Sequence, residues 1–243
     1  MIISNKHKYL FVELPHTGST AISKELCENY EGERILKKHS LFHEFKKLSI
    51  NTKKYYIFSC IRNPMDEVVS IYLKYKTDQI AEYTQLANYK RASLERYFFS
   101  KNNNYQDYLK KFYKLPYDNW SCLAHKRFDR VIRFENLQRD FQTVLEEIGL
   151  EQKRPLPVVN TTNQKKHYLT YYSPEIYNYA KYVFGPFMKT WDYAFPAEWG
   201  DGSVPIFADI LFDIFRLPRK TYWRYFHDSH SMYAEALKMI VGR

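Results

Sequence analysis

Cysteine is scarce: three residues among 243, Cys27, Cys60 and Cys122, odd in number, far apart and without a CxxC pair. That spacing gives neither a disulfide framework nor a thiolate zinc site, and it fits a reducing compartment. Long apolar runs are missing too. No stretch approaches the roughly 20 residues that a membrane span needs, and MIISNKHKYLF at the N-terminus lacks the apolar core of a signal peptide. The chain therefore reads as soluble and cytoplasmic. Internal repeats and low-complexity tracts are absent, as is the GxxxxGK[ST] pattern of nucleoside triphosphate loops. His125, His167, His227 and His230 show no metal-ligand spacing, so no metal is expected.

What is present begins with charge. The 37 Lys+Arg outnumber the 27 Asp+Glu for a formal charge of +10, which favours anionic partners such as nucleotides, sulfated or phosphorylated sugars, nucleic acid or headgroups. The length suits one ordinary domain, or one domain with an appendage, and a substantial core. With 23 Tyr and 17 Phe the chain is also rich in aromatics, which serve base or sugar stacking or, more commonly, a bulky core.

Short β-rich segments alternate with longer helical ones. YLFVEL (Tyr9 to Leu14), KKYYIFSCI (Lys53 to Ile61) and RVIRF (Arg130 to Phe134) read as strands; TAISKELCENY, PMDEVVSIYLKYK and LQRDFQTVLEEIGL read as the helices that follow them. This order predicts an α/β fold, a parallel sheet flanked by helices. Thr77 to Trp120 is too long for a simple connection and is expected to hold helices over the ligand cleft. GDGSVP (Gly200 to Pro205) is the linker candidate, dividing an α/β domain over 1–199 from an amphipathic, basic helical tail over 200–243. In that tail Ile206, Phe207, Ile210, Leu211, Ile214 and Phe215 recur at helical spacing. Such a stripe calls for cover from the core, from a second subunit as a homodimer, or from a peripheral membrane contact.

Two strand-to-helix junctions carry the chemistry, both at the carboxyl ends of strands, where a parallel sheet binds ligands. In LPHTGST, Gly18 permits a tight turn, the amides of Thr17 to Ala21 point at an anion, and Ser19 and Thr20 add hydroxyls. From the loop alone, a plain βα turn with a hydroxyl N-cap fits as well. In CIRNPMDEVVSIY, Asn63 caps a helix, Pro64 suits its first position, and Asp66 and Glu67 complement its dipole. Arg62 is left to find a partner, and Ser70 presents a hydroxyl two turns on, so the pair suits a second phosphate.

Taken together, LPHTGSTAI and IFSCIRNPMDEVVSIY resemble the paired nucleotide-binding signatures of sulfotransferases that use 3′-phosphoadenosine 5′-phosphosulfate (PAPS), in particular the carbohydrate sulfotransferase branch. RFENLQRDFQTVLEEIGL is similar to that family's later strand and helix, and the likeness extends from about Tyr9 to Phe195. It implies a P-loop-like nucleotide-binding fold and no metal. It also implies PAPS as donor, adenosine 3′,5′-bisphosphate as product, and a hydroxylated acceptor, a saccharide being favoured. By this resemblance His16, Thr17, Gly18, Ser19, Thr20 and Ala21 hold the 5′-phosphosulfate, Arg62 and Ser70 the 3′-phosphate, and Lys165 and Lys166 cover the phosphates. The family's first loop usually has lysine where His16 stands, so His16 is expected to act as the catalytic cation when protonated.

Sulfuryl transfer needs a base for the acceptor hydroxyl. KKHSLFHEF offers His39 and His43; relatives place a histidine base in this segment, and His39 is the better match by its distance from Arg62. Glu13 and Glu44 are carboxylate alternatives. Tyr171, Tyr172 and the cluster around Trp191 read as core rather than as a sugar platform. Three other functions compete. They are a non-catalytic module binding adenosine bisphosphate, a P-loop-type kinase, against which stand this chain's missing lysine after the glycine and missing magnesium carboxylate, and nucleic-acid binding, which rests on charge and aromatics alone.

Overall fold

The computed structural model describes residues 1–48, 50–79, 91–119, 122–158 and 166–226. In chain order its main elements are β1 (Ile2–Ser4), β2 (Tyr9–Val12), α1 (Ser19–Asn29), β3 (Glu33–Arg34), α2 (Phe42–Lys46), β4 (Tyr56–Ile61), α3 (Pro64–Lys76) and α4 (Arg91–Asn102). They continue with α5 (Tyr105–Phe112), β5 (Arg130–Arg133), α6 (Leu137–Glu147), α7 (Tyr177–Thr190) and α8 (Ile206–Thr221). These form two compact units, Met1–Arg62 with Asn119–Asn160, and Asn63–Asp118 with Thr161–Arg243.

The first unit holds a five-stranded sheet in the order β3-β1-β2-β4-β5. β2, β4 and β5 run parallel as expected, with Phe11 opposite Phe58 and Ile61 opposite Arg133. The sheet is nevertheless mixed, because β1 pairs antiparallel with both β2 and β3. Every residue of β2 is buried, and its side chains alternate between two cores. Tyr9 and Phe11 join Ile22, Leu26, Phe58, Phe141 and Leu145 on one face, and Leu10 and Val12 join Phe45 and Ile57 on the other. Near-continuous apolar strands are what a sheet covered on both faces demands. Each large side chain so buried contributes about 1.5–3 kcal/mol.

In the second unit, α3 starts as its sequence predicts: Asn63 Oδ1 accepts from the Met65 amide at 2.9 Å, Pro64 opens the helix, and Asp66 and Glu67 fill the first turn. Tyr172 is buried there. Its hydroxyl donates to the Met65 carbonyl at 3.0 Å and lies 2.5 Å from the Tyr105 hydroxyl, so it serves the core as expected; Trp191 is buried too. The segment after α7 is tied down. Lys181 Nζ donates to the carbonyls of Trp199 and Asp201, and a Cβ on Gly185 would stand 2.6 Å from Val204, so only glycine allows this approach. α8 packs on α7 and sends the Arg219 guanidinium inward to the Pro116 carbonyl. Of the apolar stripe, Leu211 and Phe215 are half-buried while Ile206, Phe207, Ile210 and Ile214 stay exposed. No helix among the described residues is long and apolar enough to cross a membrane.

Candidate functional site

The turn from β2 to α1 is built by side chains that hold its carbonyls rather than its amides. Thr17 Oγ1 and Ser19 Oγ both donate to the Leu14 carbonyl, at 3.0 and 2.8 Å, so these hydroxyl protons point inward. From β4, Cys60 Sγ donates to the Thr17 carbonyl at 2.7 Å and Arg62 Nη1 to the His16 carbonyl at 3.3 Å. Burial pushes the Cys60 thiol well up, so it keeps the proton it donates. Because a trans peptide sets its C=O and N–H in opposite directions, the amides of Thr17 and Gly18 face away from β4. α1 then begins with Gly18 as N-cap, without a side-chain cap and without an acid in its first turn. Its first amides add to the positive pole of the helix, an arrangement that can receive an anion. The Ala21 amide already bonds the Gly18 carbonyl at 3.0 Å.

Two residues of this turn adopt left-handed backbone, His16 at φ 64° and Gly18 at φ 78°. Glycine is required at the second on two counts. It tolerates that φ, and a Cβ there would sit 3.0 Å from a Phe134 ring carbon and 3.1 Å from Leu137. The same Phe134 ring lies 4.2 Å beneath the Arg62 guanidinium carbon, so one aromatic side chain supports both the glycine and the buried cation.

At the end of β2, Glu13 is buried and accepts from Ser23 Oγ at 2.6 Å, Arg34 Nη1 at 2.6 Å and the Met1 amino group at 2.8 Å. Burial alone would raise its pKa, but these bonds outweigh it and hold the carboxyl below its usual range. A carboxylate so engaged is a poor base. Glu44 is likewise engaged, accepting from the Leu41 amide at the start of α2. His39 lies beside Glu13, its Nδ1 3.4 Å from the Glu13 carbonyl, and its φ of 63° is left-handed like that of His16. A proton on Nδ1 facing that carbonyl puts the basic lone pair on Nε2. Burial, reinforced by the Lys38 charge, lowers the His39 pKa, so the ring is neutral at physiological pH. The neighbouring Lys38 Nζ donates to Thr20 Oγ1 at 3.1 Å, which sets a cation against the first turn of α1.

The family model described as the sulfotransferase family matches residues 1–182, about three quarters of the chain. The chain belongs to the sulfotransferase family. No curated protein and no solved structure matches it.

In this sulfotransferase the first unit brings together most of the residues that the motifs single out: the His16–Ala21 turn, Arg62 and His39. Ser70, 1% exposed on α3, and Lys166, exposed, belong to the second unit. Lys165 lies outside the described residues, as do His227, His230, residues 80–90 and the chain from 227 onward. Three contributors escaped the sequence reading. Lys38 and Cys60 lie outside the residues that the motifs assign to the site, and Phe134 is placed at the end of a strand. Only the alternation in FSCIR, which sends Cys60 and Arg62 to the same side of β4, carried a hint that the two act on one loop.

Proposed function

We propose that this sulfotransferase moves the sulfuryl group of PAPS to an acceptor hydroxyl, with a saccharide as the favoured acceptor. The observation that carries the reading is the pair of bonds from Cys60 and Arg62 to consecutive carbonyls of the β2–α1 turn. They aim its amides outward at a helix start that has no acid of its own. Such a cradle fits the 5′-phosphosulfate, and the glycine at its centre leaves the backbone bare for close approach. Bound PAPS supplies an activated sulfuryl group on a stable leaving phosphate.

The chain's residues do the rest. The amides of Thr17, Gly18, Ser19 and Thr20 hold the phosphosulfate, with Lys38 and protonated His16 as the nearby cations that balance charge growing on the leaving oxygen. Arg62 and Ser70 take the 3′-phosphate, a role that rests on the family spacing. His39 Nε2 accepts the proton of the acceptor hydroxyl. The saccharide preference and a cytoplasmic location follow from the motif resemblance and from the composition.

Calorimetric titration with adenosine 3′,5′-bisphosphate and adenosine 5′-phosphate tests the nucleotide, and transfer of labelled sulfate from PAPS to a saccharide panel tests the reaction. Tighter binding of the bisphosphate with transfer is the expected result. Equal binding of the two nucleotides overturns the reading; bisphosphate binding without transfer to any hydroxylated acceptor leaves a non-catalytic nucleotide-binding module.

A further inference from the structure

Helix α8 keeps two apolar faces apart. Ala208 and Phe212 are buried, whereas Phe207, Ile210, Ile214 and Leu217 are 64%, 50%, 58% and 69% exposed. The exposed four alternate at three and four residues, the interval at which one helix lines a seam against another. Scattered surface apolar residues are ordinary, but a continuous row of this kind marks an interaction surface.

Charge along the row selects the partner. Asp209 and Asp213 lie on one edge in the first half of the helix, and Arg216 and Lys220 on the same edge in the second. Asp209 is already held by Lys189 of α7 at 2.9 Å, whereas Asp213 stands 4.0 Å from Arg216 and is 73% exposed, the acid that a second copy can meet. An anionic lipid surface would favour a uniformly basic edge and be repelled by the two acids. A second copy laid antiparallel puts the acidic half of each helix beside the basic half of the other. That self-complementarity is what a twofold interface requires.

We infer that α8 pairs antiparallel with α8 of a second copy and makes the sulfotransferase a homodimer. In the register that sets Asp213 of one copy against Lys220 of the other, Ile214 lies beside Leu217. Ile206 then arrives at Tyr225, which is 62% exposed just beyond the helix end. The seam is short. Stable interfaces bury roughly 1,200–2,000 Å² in total, a single helix pair falls at or below the low end, and dissociation in the micromolar range is expected.

Sedimentation velocity of the full chain between about 1 and about 200 μM, a range that brackets such a constant, should show a monomer–dimer equilibrium. Ile214→Glu, checked by circular dichroism and by unchanged sulfuryl transfer, should be monomeric throughout. Asp213→Lys and Lys220→Asp should each weaken dimerisation roughly three- to tenfold, and the double reversal should restore it, as opposite charges re-pair across the axis. A wild type that stays monomeric at every concentration overturns the inference, and so does a dimer that survives Ile214→Glu. A monomer that floats with phosphatidylcholine vesicles through the same side chains also overturns it, because the occupant is then lipid.

Discussion

Arg62 acts at two places at once: it braces the His16 carbonyl and, in the proposed complex, binds a 3′-phosphate. Replacing it with alanine should therefore cost about 2 kcal/mol of bisphosphate affinity, roughly 30-fold, and erase the preference over adenosine 5′-phosphate. Calorimetry on the two nucleotides measures both quantities, and a variant that keeps the preference removes Arg62 from the site. His39 calls for a different readout. His39→Ala should lower kcat by roughly 100-fold with nucleotide affinity near wild type. Because burial and Lys38 lower its pKa, the acid limb of kcat should fall below the ordinary imidazole value of about 6.5. As the proposed base, His39 works only when neutral, and removing a nearby cation makes protonation easier. Lys38→Met should thus move the limb to higher pH as well as reduce kcat. A limb that stays in place in Lys38→Met assigns it to another group.

At the scale of elements, the β2–α1 turn depends on glycine more sharply than its sequence implies. Gly18→Ala imposes a left-handed φ on a residue with a Cβ and drives that carbon against Phe134, so it should cost roughly 1–3 kcal/mol in urea unfolding and weaken bisphosphate binding. Cys60→Ala removes the thiol that holds the Thr17 carbonyl; Cys60→Ser should recover most of the nucleotide affinity that alanine loses. Equal affinity in the two variants means that the thiol does no positioning. The contrast between these elements also explains what the sequence made legible. The start of α3 was readable because Asn63, Pro64, Asp66 and Glu67 act within one turn of each other. The three parallel strands were readable because each is a short β-rich segment followed by a longer helical one. β1 and β3 were not, since three and two residues are too short to show a period, and their pairing is set by partners elsewhere in the chain. The bracing of the loop by Cys60 and Arg62 was hidden for the same reason, joining residues more than 40 positions apart.

For the molecule as a whole, acid stability should be governed by buried groups that cannot take up a proton. His125 lies within the first unit, its Nδ1 3.0 Å from Ser59 Oγ, and burial pushes its pKa down to about 3. The unfolded chain binds that proton near pH 6.5 and the folded chain does not, so stability should fall by up to ~1.4 kcal/mol per pH unit as pH drops from 6.5 toward 3. Glu13, with its lowered pKa, adds a loss at the bottom of that range, as pH falls from the unfolded carboxylate value through the folded one. Urea unfolding at several pH values should show a shallower slope in His125→Gln; an unchanged slope would falsify the assignment. The order of the strands has a further consequence, for the ribosome. β5 pairs with β4, yet about 70 residues of chain separate them, and all of α3, α4 and α5 are made in between. At roughly 5–20 residues per second, the β4 edge waits about 3–14 s for its partner, with its backbone N–H and C=O groups unpaired on that side. Vectorial synthesis thus leaves an adhesive edge open in every nascent chain, and translation arrested before Arg130 should yield a species that a holdase chaperone captures and the finished protein does not.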